Sequence, residues 1–309
     1  LMINPIKGSA ILNNANDFLT RNFGVFYLWV GLASVIFLAA IAFSSYGDIF
    51  LGDISEKPRF SNISWASMLF CAGIGASVMY WGSIEWAYYY QAPPFGIIPK
   101  SIKAAEWAAT YGLFHWGITA WAIYIVPALP IAYLYYVRKK PILKISEACR
   151  PILGNKVDGF IGTAIDVLFM FGLLGGAGTT LGLGTPMIAS GIEKITGITR
   201  SLTMDLIVLF VCTVVFAISA YSGLDKGIKW LSNVNLGLLT IMLLFVLVFG
   251  PTLFIFKTGT NSLGIVIENF FRMNTYTDPV GQSGFPEKWT IFYWASVDCL
   301  CSFYGFICC

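Results

Sequence analysis

The chain has 309 residues, of which 57% are hydrophobic and only 11% are charged, and its mean hydropathy is +0.74. This composition excludes a soluble globular domain and is typical of an integral membrane protein. The net charge of +3 is spread over the loops without a basic stripe, so we expect no nucleic-acid partner.

The first 23 residues form a polar segment that lacks the apolar core of a cleavable signal peptide. Long apolar runs follow, and each approaches or exceeds the roughly 20 residues that a membrane-spanning helix needs. They are too long for barrel strands of about ten residues, so we predict helices. The seven predicted spans are 24–47, 63–90, 107–137, 158–193, 203–221, 230–256 and 289–309. Basic residues crowd the third connection, between residues 138 and 156, which places that loop in the cytoplasm.

The second predicted span has small residues in its middle and an acid toward its end. It reads Gly73-Ile74-Gly75-Ala76-Ser77, and Glu85 follows. Glycines weaken a helix and can free backbone carbonyls for a ligand or an ion, as in the broken helices of transporters. Close helix packing through small residues is the alternative. The intramembrane carboxylate favours a functional site, because buried acids are costly.

Three aromatic residues, Trp116, Trp121 and Tyr124, lie near the middle of the third predicted span. Anchoring at the lipid headgroups explains rings at the ends of a span but not at its middle. On a continuous helix the three residues share one face, within an arc of about 140°. Because ring faces attract cations, the cluster predicts a pocket for a quaternary amine. We expect the neighbouring His115 to pack between helices rather than to carry protons.

Three later segments are interpreted as structural. The fourth span holds many glycines between residues 172 and 184, which we expect to let a neighbouring helix cross closely. Residues 223–235 have the composition of a charged, solvated helix start. Residues 263–273 have the apolar spacing of a helix that lies along the membrane surface.

Enzyme and metal chemistry are not indicated. Four of the seven cysteines fall in the last eleven residues, and the chain has one histidine, so a zinc site is not expected. There is no Gly-x-Ser-x-Gly elbow and no spaced His/Asp pair. We therefore expect no catalytic residues, no metal site, no cofactor and no enzymatic activity.

Several short motifs occur in a fixed order between about residue 24 and residue 295. They are Ile74-Gly75-Ala76 with Trp81-Gly82-Ser83-Ile84-Glu85, Phe114-His115-Trp116 with Trp121 and Tyr124, Thr180-Leu181-Gly182-Leu183-Gly184, Lys226-Gly227-Ile228 with Leu231-Ser232-Asn233, and Thr277-Asp278-Pro279 with Gly284-Phe285-Pro286 and 289–295. Together they resemble the betaine/choline/carnitine transporter family.

The resemblance implies an all-α integral membrane protein with the LeuT-type fold of twelve spans. In that fold two leading helices precede two inverted repeats of five helices, and discontinuous helices hold the substrate near the midplane. By this register the chain begins after the family's first helix and enters its eighth. The first repeat is then complete and the second nearly absent, with the transporter domain at residues 24–295.

The resemblance also implies a binding site. In the family an aromatic box encloses the trimethylammonium group, and an unwound helix borders the substrate. The matching substrate-binding positions are Trp116, Trp121, Tyr124, Gly73, Gly75 and Ser77. The carbonyls of Cys71 and Ile74 match positions near a sodium site, so Na⁺ is the expected coupling ion if the carrier is ion-driven.

Some positions depart from the family pattern. Betaine carriers of the family tend to have Gly-x-Gly-x-Gly at the positions of residues 73–77. This chain has serine at the last of these positions, which is closer to the pattern of carnitine exchangers. Those exchangers have an arginine near Asn235 that replaces sodium, and this chain lacks it. Ala177 stands where sodium-coupled members can offer a threonine. The substrate and the coupling ion both stay open.

The tail, residues 296–309, departs most from the family pattern. The pattern calls for a tryptophan after Ser296 and then an aromatic-Ala-Pro-Phe-x-Gly run. Permitted codons for residues 297–309, shifted by one base, read W-I-A-Y-A-P-F-M-G-L-F-V. We therefore hypothesise a single-base frameshift near codon 297, which the local DNA sequence tests.

The sequence thus predicts a secondary transporter for glycine betaine, choline or carnitine, used for osmolyte uptake and coupled to sodium or protons. It is expected to be a multi-pass protein of the inner (plasma) membrane, and the resemblance allows a homotrimer. With the frameshift, the chain itself is expected to be a truncated fragment that cannot transport. The alternatives are a sodium-independent carnitine/betaine-type exchanger and a truncated, non-transporting membrane subunit.

Overall fold

The computed structural model describes residues 5–53, 55, 57–73, 77–140 and 142–295. All regular secondary structure in these ranges is helical, as the sequence predicts. In chain order the helices are α1 Pro5–Ala42, α2 Asn62–Gly73, α3 Ser77–Gln91, α4 Ile102–His115, α5 Ile118–Ala132, α6 Ile145–Ala148, α7 Arg150–Leu153, α8 Phe160–Thr196, α9 Leu202–Tyr221, α10 Lys229–Phe249 and α11 Thr252–Asn274. Short π-helical turns at Tyr133–Val137, Leu224–Ile228 and Glu287–Ile291 extend or precede helical segments.

Within the described ranges, five helical segments are long and apolar enough to cross a membrane. They are Ile6–Ala42, Ile102–Val137, Phe160–Thr196, Leu202–Tyr221 and Leu224–Phe249. These segments correspond to the first, third, fourth, fifth and sixth predicted spans. The second predicted span consists of α2 and α3, which have 12 and 15 residues. Most of the seventh, together with the suspected frameshifted tail at 296–309, lies outside the described residues.

The ends of the helices follow from local sequence chemistry. Ser101 and Ser201 cap α4 and α9, because their hydroxyls accept hydrogen bonds from the N–H groups of Ala104 and Met204. Gly197 ends α8 in the left-handed conformation that glycine adopts without strain. Pro251 follows Gly250 and separates α10 from α11, so the sixth predicted span ends at Phe249 rather than at residue 256.

Two other boundaries differ from the predictions. Helix α1 begins at Pro5, so the described part of the polar N-terminal segment is helical and continuous with the first span. Helix α11 covers 252–274, well beyond the predicted 263–273. It carries the expected exposed apolar residues, among them Leu263 and Ile267, but its end is buried at Met273 and Asn274.

The chain divides into two compact units. Of the described residues, the first contains those within 5–49, 85–130 and 256–295, and the second contains those within 50–84 and 131–255. The first unit has a dense aromatic core, in which Tyr89, Tyr111, Phe114 and Trp294 are almost completely buried. It is built by α1, the second half of α3, α4, most of α5, most of α11 and the turn after residue 286.

In the second unit, α2 packs along α10. The thiol of Cys71 lies 3.7 Å from the carbonyl oxygen of Ser232, and the amide of Asn233 donates to the hydroxyl of Ser64 at 3.1 Å. Arg59 forms an ion pair with Asp225 beside these helices. Most apolar side chains of α9 and α10 are exposed, which suits helices whose outer faces meet lipid.

The basic connection between the third and fourth predicted spans folds around Arg150. Its guanidinium donates to Glu147 at 2.7 Å and to both carboxylate oxygens of Asp158, at 2.9 and 2.6 Å. The hydrogen bonds from Arg150 lower the pKa of the Asp158 carboxyl from its usual value. The basic residues of this loop are therefore partly neutralised by nearby acids.

The glycines of the fourth span do not behave as predicted. Among the described residues, an added Cβ at Gly175, Gly178 or Gly182 would meet nothing within 4 Å. The part of the chain that the structure describes therefore makes no close helix crossing at these three positions, contrary to the prediction.

Candidate functional site

A break in the third predicted span positions Trp116. Helix α4 ends at His115 and α5 begins at Ile118, and the N–H of Trp116 donates to the carbonyls of Gly112 and Phe114. An added Cβ on Gly117 would lie 2.7 Å from the carbonyl oxygen of Leu113, so only glycine fits this turn. The prediction of one continuous helix is wrong here, and the calculated 140° arc does not apply across the break.

Glu85 holds the side chain of Trp116. The indole Nε1–H donates to Oε2 of Glu85 at 2.9 Å, and the hydroxyl of Tyr89 donates to Oε1. Glu85 is only 3% exposed, and Tyr89 lies one helical turn further along α3. Both carboxylate oxygens of Glu85 therefore accept a hydrogen bond, as a buried carboxylate requires.

His115 extends this network from α4. Its Nδ1 lies 2.7 Å from the hydroxyl oxygen of Tyr89, and its Nε2 lies 3.0 Å from Oγ1 of Thr290. The ring is 1% exposed. The expectation that His115 packs between helices is met, but the ring also uses both nitrogens in hydrogen bonds.

For a neutral His115, the donors and acceptors of this network can be assigned from the proton that Tyr89 donates to Glu85. Tyr89 gives its only proton to Glu85, so Nδ1 of His115 must donate to the tyrosine oxygen. In the neutral imidazole, Nε2 then accepts from the hydroxyl of Thr290. From Thr290 through His115 and Tyr89, each hydrogen bond is donated in the direction of Glu85. The network therefore ends at the negatively charged carboxylate of Glu85.

Aromatic rings surround this network. Tyr293 stacks on His115 with ring centroids 4.7 Å apart, and it contacts Trp116 in a T-shaped arrangement at 5.7 Å. Trp289 contacts Tyr89 in a T-shaped arrangement at 4.8 Å. Trp116 itself is partly exposed beside these buried groups.

Two ring contacts are described for the predicted aromatic cluster. Trp121 and Tyr124 pack against each other on α5 with centroids 5.9 Å apart, and Trp116 contacts Tyr293 at 5.7 Å. Tyr124 is 7% exposed and Trp121 is half-buried. All three predicted aromatic residues lie in the first unit.

Gly73 and Ser77, which flank the undescribed residues 74–76, lie in the second unit. Gly73 is the last described residue of α2, and Ser77 is the first of α3. Ile74 and Gly75 lie outside the described residues, so their predicted roles are not tested. Cys71 is half-buried on α2 and turns its thiol toward Ser232. Among the described residues, no three His, Cys, Asp or Glu side chains are grouped so that they could hold a metal ion.

Sequence reasoning singled out Glu85, His115 and Trp116, but it did not predict that they share one hydrogen-bond network. Tyr89 could have been found, because residues four apart on a helix are neighbours. Thr290 and Tyr293 could not, since they lie 175 or more residues beyond His115 and no spacing rule links them.

Comparison with known proteins decides the family. The sequence profile of the BCCT, betaine/carnitine/choline family transporters matches residues 1–308. The chain belongs to this family. Since it is a family of transporters, the prediction that the protein is not an enzyme is confirmed. The chain is a multi-pass protein of the inner membrane, as its membrane-length apolar helices indicate.

Three curated relatives are similar in sequence to most of this chain. The glycine betaine transporter OpuD of Bacillus subtilis is 40% identical over 95% of this chain and 58% of its own length. The carnitine transporter of Acinetobacter baumannii is 36% identical over 84% of this chain and 47% of its own. The uncharacterized transporter YeaV of Escherichia coli is 38% identical over 86% and 54%. The chain thus spans about half the length of the curated relatives it matches.

Proposed function

We propose that this BCCT protein is a secondary transporter for quaternary ammonium compounds of the glycine betaine, choline or carnitine type. The observation that carries the proposal is the indole of Trp116, partly exposed and fixed by a buried carboxylate at 2.9 Å. A cation over such a ring is attracted by about 0.5–2 kcal/mol per contact when desolvated. Two relatives that are named as glycine betaine and carnitine transporters support the same substrate class.

In this proposal Trp116, Trp121 and Tyr124 supply ring faces for the trimethylammonium group. A quaternary ammonium group cannot donate hydrogen bonds. A protein therefore binds it through aromatic ring faces and through negative charges that lie further away. Gly73, Gly75 and Ser77 would border the rest of the substrate, and the carbonyls of Cys71 and Ile74 would bind Na⁺ as the coupling ion.

Transport would follow alternating access in a LeuT-type repeat fold. Discontinuous helices near the midplane would hold the substrate while one helical bundle moves against the other. The break between α4 and α5 suits such a mechanism, because irregular backbone within a membrane belongs where it lines a cavity. Sodium-independent exchange is the second candidate, and the Gly-Ile-Gly-Ala-Ser order of residues 73–77 favours it.

Uptake of labelled glycine betaine, choline and carnitine tests this function in cells that lack their own carriers. If the protein transports, its expression should produce saturable uptake of at least one compound, and Trp121→Ala should reduce that uptake about ten-fold or more, because a cation–ring contact is lost. Binding without uptake would instead support the truncated fragment that cannot transport. Trp230→Ala, which removes an exposed tryptophan of α10, is the matched control and should leave uptake unchanged.

The same assay separates the coupling modes. Uptake that disappears when sodium is replaced by potassium supports the sodium-coupled symporter. Uptake that needs no sodium and accelerates with internal substrate supports exchange instead. Full uptake by Trp121→Ala would remove Trp121 from the proposed site.

A further inference from the structure

We propose that Glu85 is a positioning residue that tunes the ring of Trp116 for cations. Through the indole N–H it would fix the ring and pass negative charge to it. This inference rests on the proposed function, since it concerns the same binding site. In this proposal, Glu85 makes the site prefer a substrate with a charged headgroup over one with an uncharged headgroup.

The first argument is geometric. Trp116 lies at the end of α4, where the helix has stopped and the backbone no longer confines the side chain as a helix does. Its indole is held by one polar contact, the hydrogen bond of 2.9 Å to Oε2 of Glu85. Glu85 is in turn fixed from the other side by Tyr89, so the carboxylate is a rigid acceptor.

The second argument is electrostatic. Because all protons of the Thr290–His115–Tyr89 chain point toward Glu85, the network stabilises the ionised carboxylate. An N–H that donates to an anion is polarised, which raises the electron density of the indole ring. Such a ring attracts a cation more strongly than an indole bonded to a neutral acceptor.

The third argument is that a carboxylate behind a ring is better suited to this substrate than one in direct contact. Glu85 is 3% exposed, and its Oε2 accepts a hydrogen bond from the indole N–H of Trp116. A trimethylammonium group is apolar outside, so it meets an aromatic face without stripping water from the carboxylate. The negative charge still acts over this short distance, because a site of low dielectric screens it weakly.

The test compares a substrate that has the trimethylammonium headgroup with a carbon isostere whose headgroup is uncharged. Choline pairs with neutral 3,3-dimethylbutan-1-ol, and glycine betaine pairs with 3,3-dimethylbutanoate, which keeps the carboxylate and is therefore an anion. Equilibrium binding is measured on the purified protein with the pair whose ammonium member binds. Glu85→Gln should weaken binding of the ammonium member about ten-fold and should not weaken binding of the isostere. Equal weakening of both would mean that Glu85 only supports the packing, and would overturn the proposal.

Two further variants keep the test decisive if Glu85→Gln folds poorly. Trp116→Phe retains a ring but removes the N–H, so it should lose the same preference for the ammonium member. A full preference in Trp116→Phe would also overturn the proposal. Glu268→Gln makes the identical chemical change on the exposed face of α11 and should leave both affinities unchanged.

Trp116→Ala separates this inference from the proposed function. If it leaves binding of the ammonium member unchanged, the aromatic site itself is wrong. If it removes binding while Glu85→Gln keeps the full preference for the ammonium member, the site stands and only the role of Glu85 is wrong.

Discussion

Replacing Gly117 with alanine is expected to abolish most substrate binding without removing any proposed binding side chain. The new Cβ would lie 2.7 Å from the carbonyl oxygen of Leu113 and 3.2 Å from that of Phe114. Both are backbone atoms, so the turn between α4 and α5 must change shape, at a cost of about 1–3 kcal/mol. Trp116 precedes this turn and would move away from Glu85. A displacement of about 1 Å is enough to lose much of a site's affinity.

Gly112→Ala is the matched control for this variant. Gly112 lies one turn earlier on α4, and an added Cβ there would meet nothing within 4 Å. Alanine favours a helix over glycine by about 1 kcal/mol, so this variant should bind normally and unfold at the same or a higher temperature. Titration calorimetry and the melting temperature are measured for both proteins. Normal binding by Gly117→Ala would show that the turn does not position the site.

Replacing Gly227 with alanine is expected to cause a large loss of stability in the second unit. Gly227 lies in the π-helical turn before α10, where an added Cβ would come within 2.8 Å of the Cβ of Ser222 and still closer to the carbonyl oxygen of Ser219. The backbone of α9 cannot move aside without breaking its own hydrogen bonds. We expect the free energy of unfolding to fall by about 3 kcal/mol, the upper end for overpacking.

This loss is measured as a lower melting temperature in detergent and a smaller yield of monodisperse protein. Gly237→Ala on α10 is the control, because its Cβ would have open space around it. It should melt at or above the wild-type temperature. A Gly227→Ala protein that melts with the wild type would mean that the α9–α10 turn is looser than its geometry indicates.

The sequence predicted the membrane class and the approximate positions of five long helices, because length and hydropathy alone define a span. It also identified Glu85 and the three aromatic residues, since an acid and a cluster of rings at membrane depth are unusual. These predictions rest on composition over many residues, so they do not depend on the details of packing.

The break at Trp116 and Gly117 could not be predicted in the same way. The apolar run continues across it, and a lone glycine within a span is as compatible with packing as with a turn. The partnership of Glu85 with His115 and Thr290 depends on which helices meet, which a single sequence does not state. The glycines of α8 illustrate the converse error, because their spacing suggested close crossing, whereas no described residue would contact a Cβ added at Gly175 or Gly178.

The most direct test of the central claim is equilibrium binding of labelled glycine betaine, choline and carnitine to the purified protein, with Trp121→Ala and Trp230→Ala measured alongside. We predict saturable binding of at least one compound, a loss of about ten-fold or more in affinity for Trp121→Ala, and no change for Trp230→Ala. Binding that Trp121→Ala leaves unchanged, or no binding of any of the three compounds by the folded wild-type protein, would contradict the aromatic quaternary-ammonium site.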